Sequence, residues 1–199
     1  MNDVQPTPKG INPWWIVGLV CVGGWLVYVL YFLPIPVANT EGPPTDLTWP
    51  LRDLKGGEIR LDQYRGKPIF LNVWATWCPP CVKEMPSIAH LAGRPELEGV
   101  VFLCVSVDES DEEVKNFIAA KRWPMTFARA TEVPRAFATR GIPATFIIGP
   151  SGRLAYSDVG SRDWDDFDTI GLLKQLLSEV RSEPSPPATA AKPETVGTH

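Results

Sequence analysis

Three runs in the middle of the chain are almost wholly apolar: residues 69–74 (IFLNVW), 100–107 (VVFLCVSV) and 144–148 (ATFII). Short continuous runs of this kind suit strands covered on both faces. Between and after them the apolar residues recur at helical spacing. Val82, Met85, Ile88, Ala89 and Ala92 form one such stripe, Val114, Phe117 and Ile118 a second. Phe167, Ile170, Leu173, Leu176, Leu177 and Val180 form a third. Ser110, followed three residues later by Glu113, predicts a capping box at the start of the second helix. Lys55-Gly56-Gly57 predicts a turn between two short strands, and Gly149-Pro150-Ser151-Gly152 a turn into a strand over residues 153–159. The predicted order is hairpin, then β-α-β-α, then β-β-α, an α/β sandwich with a central mixed sheet flanked by helices.

A longer apolar run lies near the N-terminus. Residues 13–33 carry no charge over 21 positions, with Trp14 and Trp15 at one end and Tyr28, Tyr31 and Phe32 at the other. At about 1.5 Å per residue this is long enough to cross a bilayer as a helix with interfacial aromatic belts. A cleaved signal peptide is the rival reading. Its apolar region would be shorter, and Pro36-Val37-Ala38 makes a poor cleavage site, so an uncleaved anchor is expected. Lys9 precedes the run, and no Lys or Arg follows it until Arg52. The positive-inside bias then puts residues 1–12 in the cytoplasm and everything after residue 33 outside.

Composition sharpens this division. Eleven of the 21 Pro fall in residues 1–44 and 183–199. Residues 34–44 (PIPVANTEGPP) read as a stiff spacer, and residues 183–199 as a disordered tail. One domain, residues 45–182, remains. A net charge of −4 over 199 residues offers no basic surface for nucleic acid. Only two His, His90 and His199, leave little for a His-based metal site, and none is expected. Of the four Cys, Cys21 falls in the apolar run and Cys104 in a strand, both read as bystanders. The acidic run 108–113 reads as a solvated helix start.

Trp77-Cys78-Pro79-Pro80-Cys81 follows the first strong strand and opens a helix. A helix N-terminus presents unpaired N–H groups and a partial positive charge, which favour the thiolate that attacks in disulfide exchange. Cys78, outside the helix, is the expected nucleophile, and Cys81, in its first turn, the resolving thiol. Neither Pro79 nor Pro80 can donate an N–H to the Cys78 sulfur. A less stabilised thiolate favours the disulfide at equilibrium, so the dithiol should be a good electron donor. In Gly141-Ile142-Pro143 the X-Pro bond can be cis, and a loop there would present the Ile142 backbone to an extended peptide.

These residues resemble the thioredoxin superfamily, and within it the membrane-anchored extracytoplasmic oxidoreductases of the TlpA/ResA type. The stretch from Asn72 to Cys81 with Glu84 and Pro86, the Gly141-Ile142-Pro143 loop and the late segment Gly160–Trp164 carry the likeness. It implies a thioredoxin-like fold, a dithiol cycling with a disulfide, and no bound cofactor. It also implies site residues: Cys78, Cys81 and Glu84 as catalytic, with Trp77, Pro79, Pro80, Ile142 and Pro143 meeting substrate. Asn72 stands where cytoplasmic thioredoxins carry a buried Asp, and Glu84, on the helix face of Cys81, is expected to take over its proton transfer. Pro86 should kink the helix.

The leading reading is therefore a membrane-tethered, periplasmic-side thiol–disulfide oxidoreductase. It would reduce disulfides in target proteins, with apocytochrome c or the copper-site thiols of an oxidase as implied partners, and draw electrons from a membrane thiol donor. Ala144 stands where the cytochrome-c-maturation thioredoxins often carry an acid, which leaves the target open. The alternatives are a dithiol oxidant or isomerase, and a Cu(I)-delivery module with Cys78 and Cys81 as soft ligands. Copper-delivery relatives use a longer Cys spacing plus a His, and neither is matched.

Overall fold

The computed structural model describes residues 22–24, 42–130 and 132–182. The chain divides into two units, Met1–Asn39 and Thr40–His199, and the second holds every element below. Residues 22–24 are helical. Among the described residues no helix is long and apolar enough to cross a membrane. Apart from residues 22–24 and 42–44, the predicted N-terminus, anchor, spacer and tail lie outside them, as does Cys21.

Seven strands make one sheet. They are β1 (Pro50–Asp53), β2 (Glu58–Arg60), β3 (Ile69–Trp74), β4 (Val101–Ser106), β5 (Thr126–Arg129), β6 (Ala144–Ile148) and β7 (Leu154–Val159). Three helices accompany them: α1 (Pro79–Ala92), α2 (Asp111–Ile118) and α3 (Phe167–Ser182). The strand order is β2-β1-β5-β4-β3-β6-β7. β3, β4 and β5 run parallel, and the four outer strands pair antiparallel to their inner neighbours. The sheet is mixed, as the pattern predicts, with one addition. β5 has no counterpart in the sequence reading, because Thr126-Phe127-Ala128-Arg129 is short and only Ala128 is buried.

The central strands are covered on both faces. Phe70, Trp74, Cys104 and Ile147 share one core with Met85, Ile88 and Leu91 of α1, Val114 of α2 and Leu173, Leu176 and Leu177 of α3. Leu71, Val73, Leu103, Val105, Phe146 and Ile148 face a second core, closed by Leu47, Trp49, Leu61 and Phe137 from loops and 3-10 turns. Each large side chain buried in this way is worth about 1.5–3 kcal/mol. The predicted stripe of the last helix holds for its leucines. Phe167 at its first position instead points outward, 88% exposed, because the stripe begins a turn later. The capping box forms as predicted: the Ser110 hydroxyl accepts from the Glu113 N–H, and the Glu113 carboxylate from the Ser110 N–H.

The outer edge of β7 is covered at its start. The Thr45 N–H donates to the Gly152 carbonyl at 3.0 Å and the Leu154 N–H to the Pro43 carbonyl at 3.1 Å, with Pro44 bridged to Arg153. A Cβ at Gly42 would lie 1.7 Å from the Leu154 oxygen, so only glycine fits this approach.

Candidate active site

The C-terminal end of β3 runs through Ala75, Thr76 and Trp77 into α1. Cys78 is the N-cap of this helix, with extended backbone (φ −99°, ψ 100°), and its Sγ accepts from the Cys81 N–H at 3.3 Å. Pro79 and Pro80 occupy the first helical positions, where a missing N–H costs nothing and a fixed φ helps. They leave the Cys81 N–H as the donor that reaches the sulfur. Cys78 and Cys81 are joined, sulfurs 2.09 Å apart. Cys81 is fully buried, and Cys78 is itself only 5% exposed, less open than its place outside the helix suggests. Trp77 beside it is 65% exposed.

Across from the pair lies the loop before β6. The Ile142–Pro143 peptide is cis, and the Ile142 carbonyl oxygen lies 3.8 Å from the Cys78 Sγ. Trp77, Pro79, Pro80, Ile142 and Pro143 thus surround or flank the disulfide. Pro86 lies inside α1, which continues through it to Ala92.

Glu84 lies beneath, on the buried face of α1, 2% exposed. Its carboxylate accepts from Asn72 Nδ2 at 2.8 Å and from Trp164 Nε1 at 3.0 Å, with the Arg162 N–H at 3.4 Å. Asn72 Nδ2 also donates to the Thr145 hydroxyl at 2.9 Å, two residues past Pro143. Burial pushes the Glu84 carboxyl above the ordinary glutamate range, and the bonds from Trp164, Asn72 and Arg162 hold it back only partly.

A second buried carboxylate anchors the approach to Cys78. Asp108 is 2% exposed and accepts from the Thr76 N–H (3.0 Å), the Thr76 hydroxyl (2.7 Å) and the Ser106 hydroxyl (2.5 Å). The acidic run is therefore solvated only after its first member, which clamps the active-site loop to the end of β4.

Known proteins are similar to this chain in sequence and fold. The AhpC/TSA family matches residues 38–157. The thiol–disulfide oxidoreductase ResA of Geobacillus thermodenitrificans (strain NG80-2) is 32% identical, over 82% of this chain and 90% of that protein. The chain belongs to the AhpC/TSA family, as a ResA-type thiol–disulfide oxidoreductase. ResA of Bacillus subtilis (strain 168) is 33% identical over 68% of this chain and 76% of its own. The crystal structure of a thiol:disulfide interchange protein of the thioredoxin family from Chlorobium tepidum TLS superposes with a TM-score of 0.56 at 30% identity. It covers 69% of this chain and 99% of that one.

In this ResA-type oxidoreductase Cys78 and Cys81 are the thiol–disulfide pair. Cys104 stands apart: burial first, and the nearby Glu84 charge second, push its thiol far above the ordinary cysteine range. It is a core residue, a poor nucleophile at neutral pH. His90 is exposed on α1, its ring 3.6 Å from Asp165.

The raised Glu84 carboxyl has a measurable consequence. The native state holds this proton more tightly than the unfolded chain, so the contribution of Glu84 to stability is fully present below the ordinary glutamate pKa. That contribution is lost as pH rises through the higher folded value. In Glu84→Gln that loss should disappear, seen as a flatter dependence of the urea midpoint on pH between about 4 and 8. An unchanged slope would show that Glu84 is not the group responsible.

Two of these residues escape a linear reading. Trp164 is 80 positions from Glu84, and Asp108 is 32 from Thr76. For Trp164 the one available signal was its place in the late segment Gly160–Trp164. For Asp108 there was none, since it heads a run of acids.

Proposed function

We propose that this oxidoreductase works as a reductase of protein disulfides, tethered to the cell membrane with its catalytic domain on the extracytoplasmic side. The observation that carries the direction of electron flow is the surroundings of the Cys78 sulfur. It has the N–H of Cys81 on one side and the Ile142 carbonyl oxygen on the other, with two prolines between the cysteines. A carbonyl oxygen at this distance disfavours a negative sulfur, and the prolines add no donor. A poorly stabilised thiolate makes the dithiol the better donor of electrons.

In the reaction the Cys78 thiolate attacks one sulfur of a target disulfide. An enzyme–target mixed disulfide forms, and the other target sulfur leaves as a thiol after taking up a proton. Cys81, deprotonated, then attacks Cys78, releasing the second target thiol and closing the Cys78–Cys81 bond. Two electrons and two protons pass to the target. A dithiol donor in the membrane restores the pair by the same exchange in reverse. In this reading Glu84, three residues past Cys81 on the same helix, takes the Cys81 proton as the attack begins. The uncharged run over residues 13–33, with Lys9 before it, supports the tether and its orientation. Apocytochrome c and the copper-site thiols of an oxidase are the target classes that the resemblance favours.

Replacing Cys81 with Ser tests the reading. The first step then proceeds and the second cannot, so a covalent complex with the target should accumulate and dissolve on adding a small thiol. Mass spectrometry of the complex names the target. Failure of Cys81→Ser to retain any partner under conditions where the parent reduces insulin would sink the mixed-disulfide route. For Glu84, the pH profile of Cys78 alkylation in Glu84→Gln decides: an unshifted profile removes the proton-transfer role.

A further inference from the structure

Among the described residues, only donors reach the Glu84 carboxyl. They are the Nδ2–H of Asn72 at 2.8 Å, the Nε1–H of Trp164 at 3.0 Å and the Arg162 N–H at 3.4 Å. Such a shell suits a carboxylate. It does not suit a carboxylic acid, whose O–H needs an acceptor and is costly to leave without one when buried. Yet burial favours the acid form here, and the negative Asp158 on β7 adds to that push. The other titratable groups around Glu84 give the O–H nothing to bond. Asp158, Cys104 of β4 and Cys81 of its own helix make no hydrogen bond to the carboxyl. The Arg162 guanidinium is a cation, engaged by Asp166 and the Tyr156 hydroxyl.

One member of the shell can change character. An indole N–H and a backbone N–H only donate, whereas a primary amide donates at one end and accepts at the other. Asn72 is fully buried, and its Oδ1 has no hydrogen-bond partner among the described residues. Its Nδ2 serves both Glu84 and, at 2.9 Å, the Thr145 hydroxyl. The sheet sets this up, because Asn72 and Thr145 are register partners across β3 and β6. Thr145 is buried too, and its hydroxyl can donate as well as accept once the hydrogen rotates. With the amide turned over about its last side-chain torsion, Oδ1 takes the place of Nδ2. It then accepts from the Glu84 O–H and from the Thr145 O–H. Either orientation makes two bonds and leaves the other end of the amide unpaired, so the proton on Glu84 decides between them.

We propose that Asn72 is a positioning residue whose amide turns over each time Glu84 gains or loses a proton. The carboxyl then keeps its bond to β3 in both charge states, and the Thr145 hydroxyl, two residues past Pro143, reverses with it. The proton passes only between Glu84 and its source, Cys81 in the reading above; Asn72 and Thr145 keep theirs. The inference deepens the proton-transfer role given to Glu84, and the experiment separates the two.

The 199-residue chain is oxidised, so that neither Cys78 nor Cys81 holds a proton, labelled at Asn, Thr and Glu, and titrated by NMR. The Glu84 carboxyl carbon, assigned by its loss in Glu84→Gln, reports the charge. While Glu84 is ionised the Asn72 amide protons should show cross-relaxation to Thr145, and once it is protonated that signal should be lost. In the infrared, the C=O stretch of protonated Glu84 should lie at the low frequency of an acid whose O–H donates. In Asn72→Leu, which keeps the bulk and removes the acceptor, it should move to the higher frequency of an acid without one. Cross-relaxation that persists across the titration would overturn the inversion. So would a C=O band that is already high in the parent or unmoved in Asn72→Leu, or a carboxyl that stays ionised until acid unfolds the chain. The NMR titration needs no change at Asn72, so it decides even if Asn72→Leu fails to fold. The oxidised pair has no proton to give, so these results stand apart from the role of Glu84 in exchange. An unshifted Cys78 alkylation profile in Glu84→Gln would remove that role and leave the inversion in place.

Discussion

Trp164→Ala should destabilise the domain by about 3–5 kcal/mol, the usual cost of emptying a buried aromatic site. The indole is fully buried between two rings, Phe70 at 5.3 Å and Tyr156 at 6.3 Å, each met edge-on. The Arg162 guanidinium lies over it, 4.9 Å from the centroid. For a chain of this size each kcal/mol moves the Tm by about 2–4 °C, so calorimetry should show a drop of about 6–20 °C. Trp164→Phe separates packing from chemistry. It keeps most of the volume and removes the Nε1–H that Glu84 accepts. The Glu84 carboxyl should then rise further, since one of the bonds that restrain it is gone. A titration by isotope-edited infrared or carboxyl NMR would show this, and an unmoved Glu84 in Trp164→Phe would mean the indole serves only as a wall.

The second large effect is expected at Asp108. Asp108→Ala strands the Thr76 N–H, the Thr76 hydroxyl and the Ser106 hydroxyl in a buried site. Leaving a buried donor without its acceptor costs about 1–3 kcal/mol, and with the Thr76 pair only half-buried the three together should cost about 3–5 kcal/mol. Thr76 is two residues before Cys78, so the nucleophile should lose its fixed position as well as its support. Two measurements separate these effects. Urea unfolding reports the stability, and the rate of Cys78 alkylation in the folded, reduced protein reports the position. Asp108→Asn should recover part of the stability because its amide oxygen can still accept. Wild-type alkylation and disulfide-exchange rates in Asp108→Ala would show that the clamp supports the fold without serving the site.

The chain made its architecture legible where residues are buried on both faces. β3, β4 and β6 are continuous apolar runs because helices cover one side of the sheet and loops the other. The cysteine pair was legible because its chemistry is local. Two thiols three residues apart at a helix start need nothing distant to define them, and the prolines between them report directly on which donors are missing. The parts that stayed hidden are those assembled from afar. β5 gives no periodic signal because it is short and flanked by a loop. Asp108 resembles its acidic neighbours until the fold returns it to Thr76. Glu84 was legible by position, but its buried setting depends on Asn72 from β3 and Trp164 from beyond β7. The same holds for Cys78. A helix-start position suggested openness, whereas the loop before β6 closes over it and leaves it almost buried.

The stitch along the outer edge of β7 bears on how the domain could be separated from the rest of the chain. An uncovered edge strand is a template on which a second copy can add. Here the segment from Gly42 to Thr45 occupies the start of that template, at Gly152 to Leu154. Pro43 and Pro44 bring no N–H groups with which a further strand could pair. A fragment begun at Leu47, where the hydrophobic core begins, would leave the Leu154 N–H and the Gly152 carbonyl open to another molecule and invite self-association. A few residues outside the core thus block strand addition at this end of the sheet, and a separated catalytic unit should begin before Gly42.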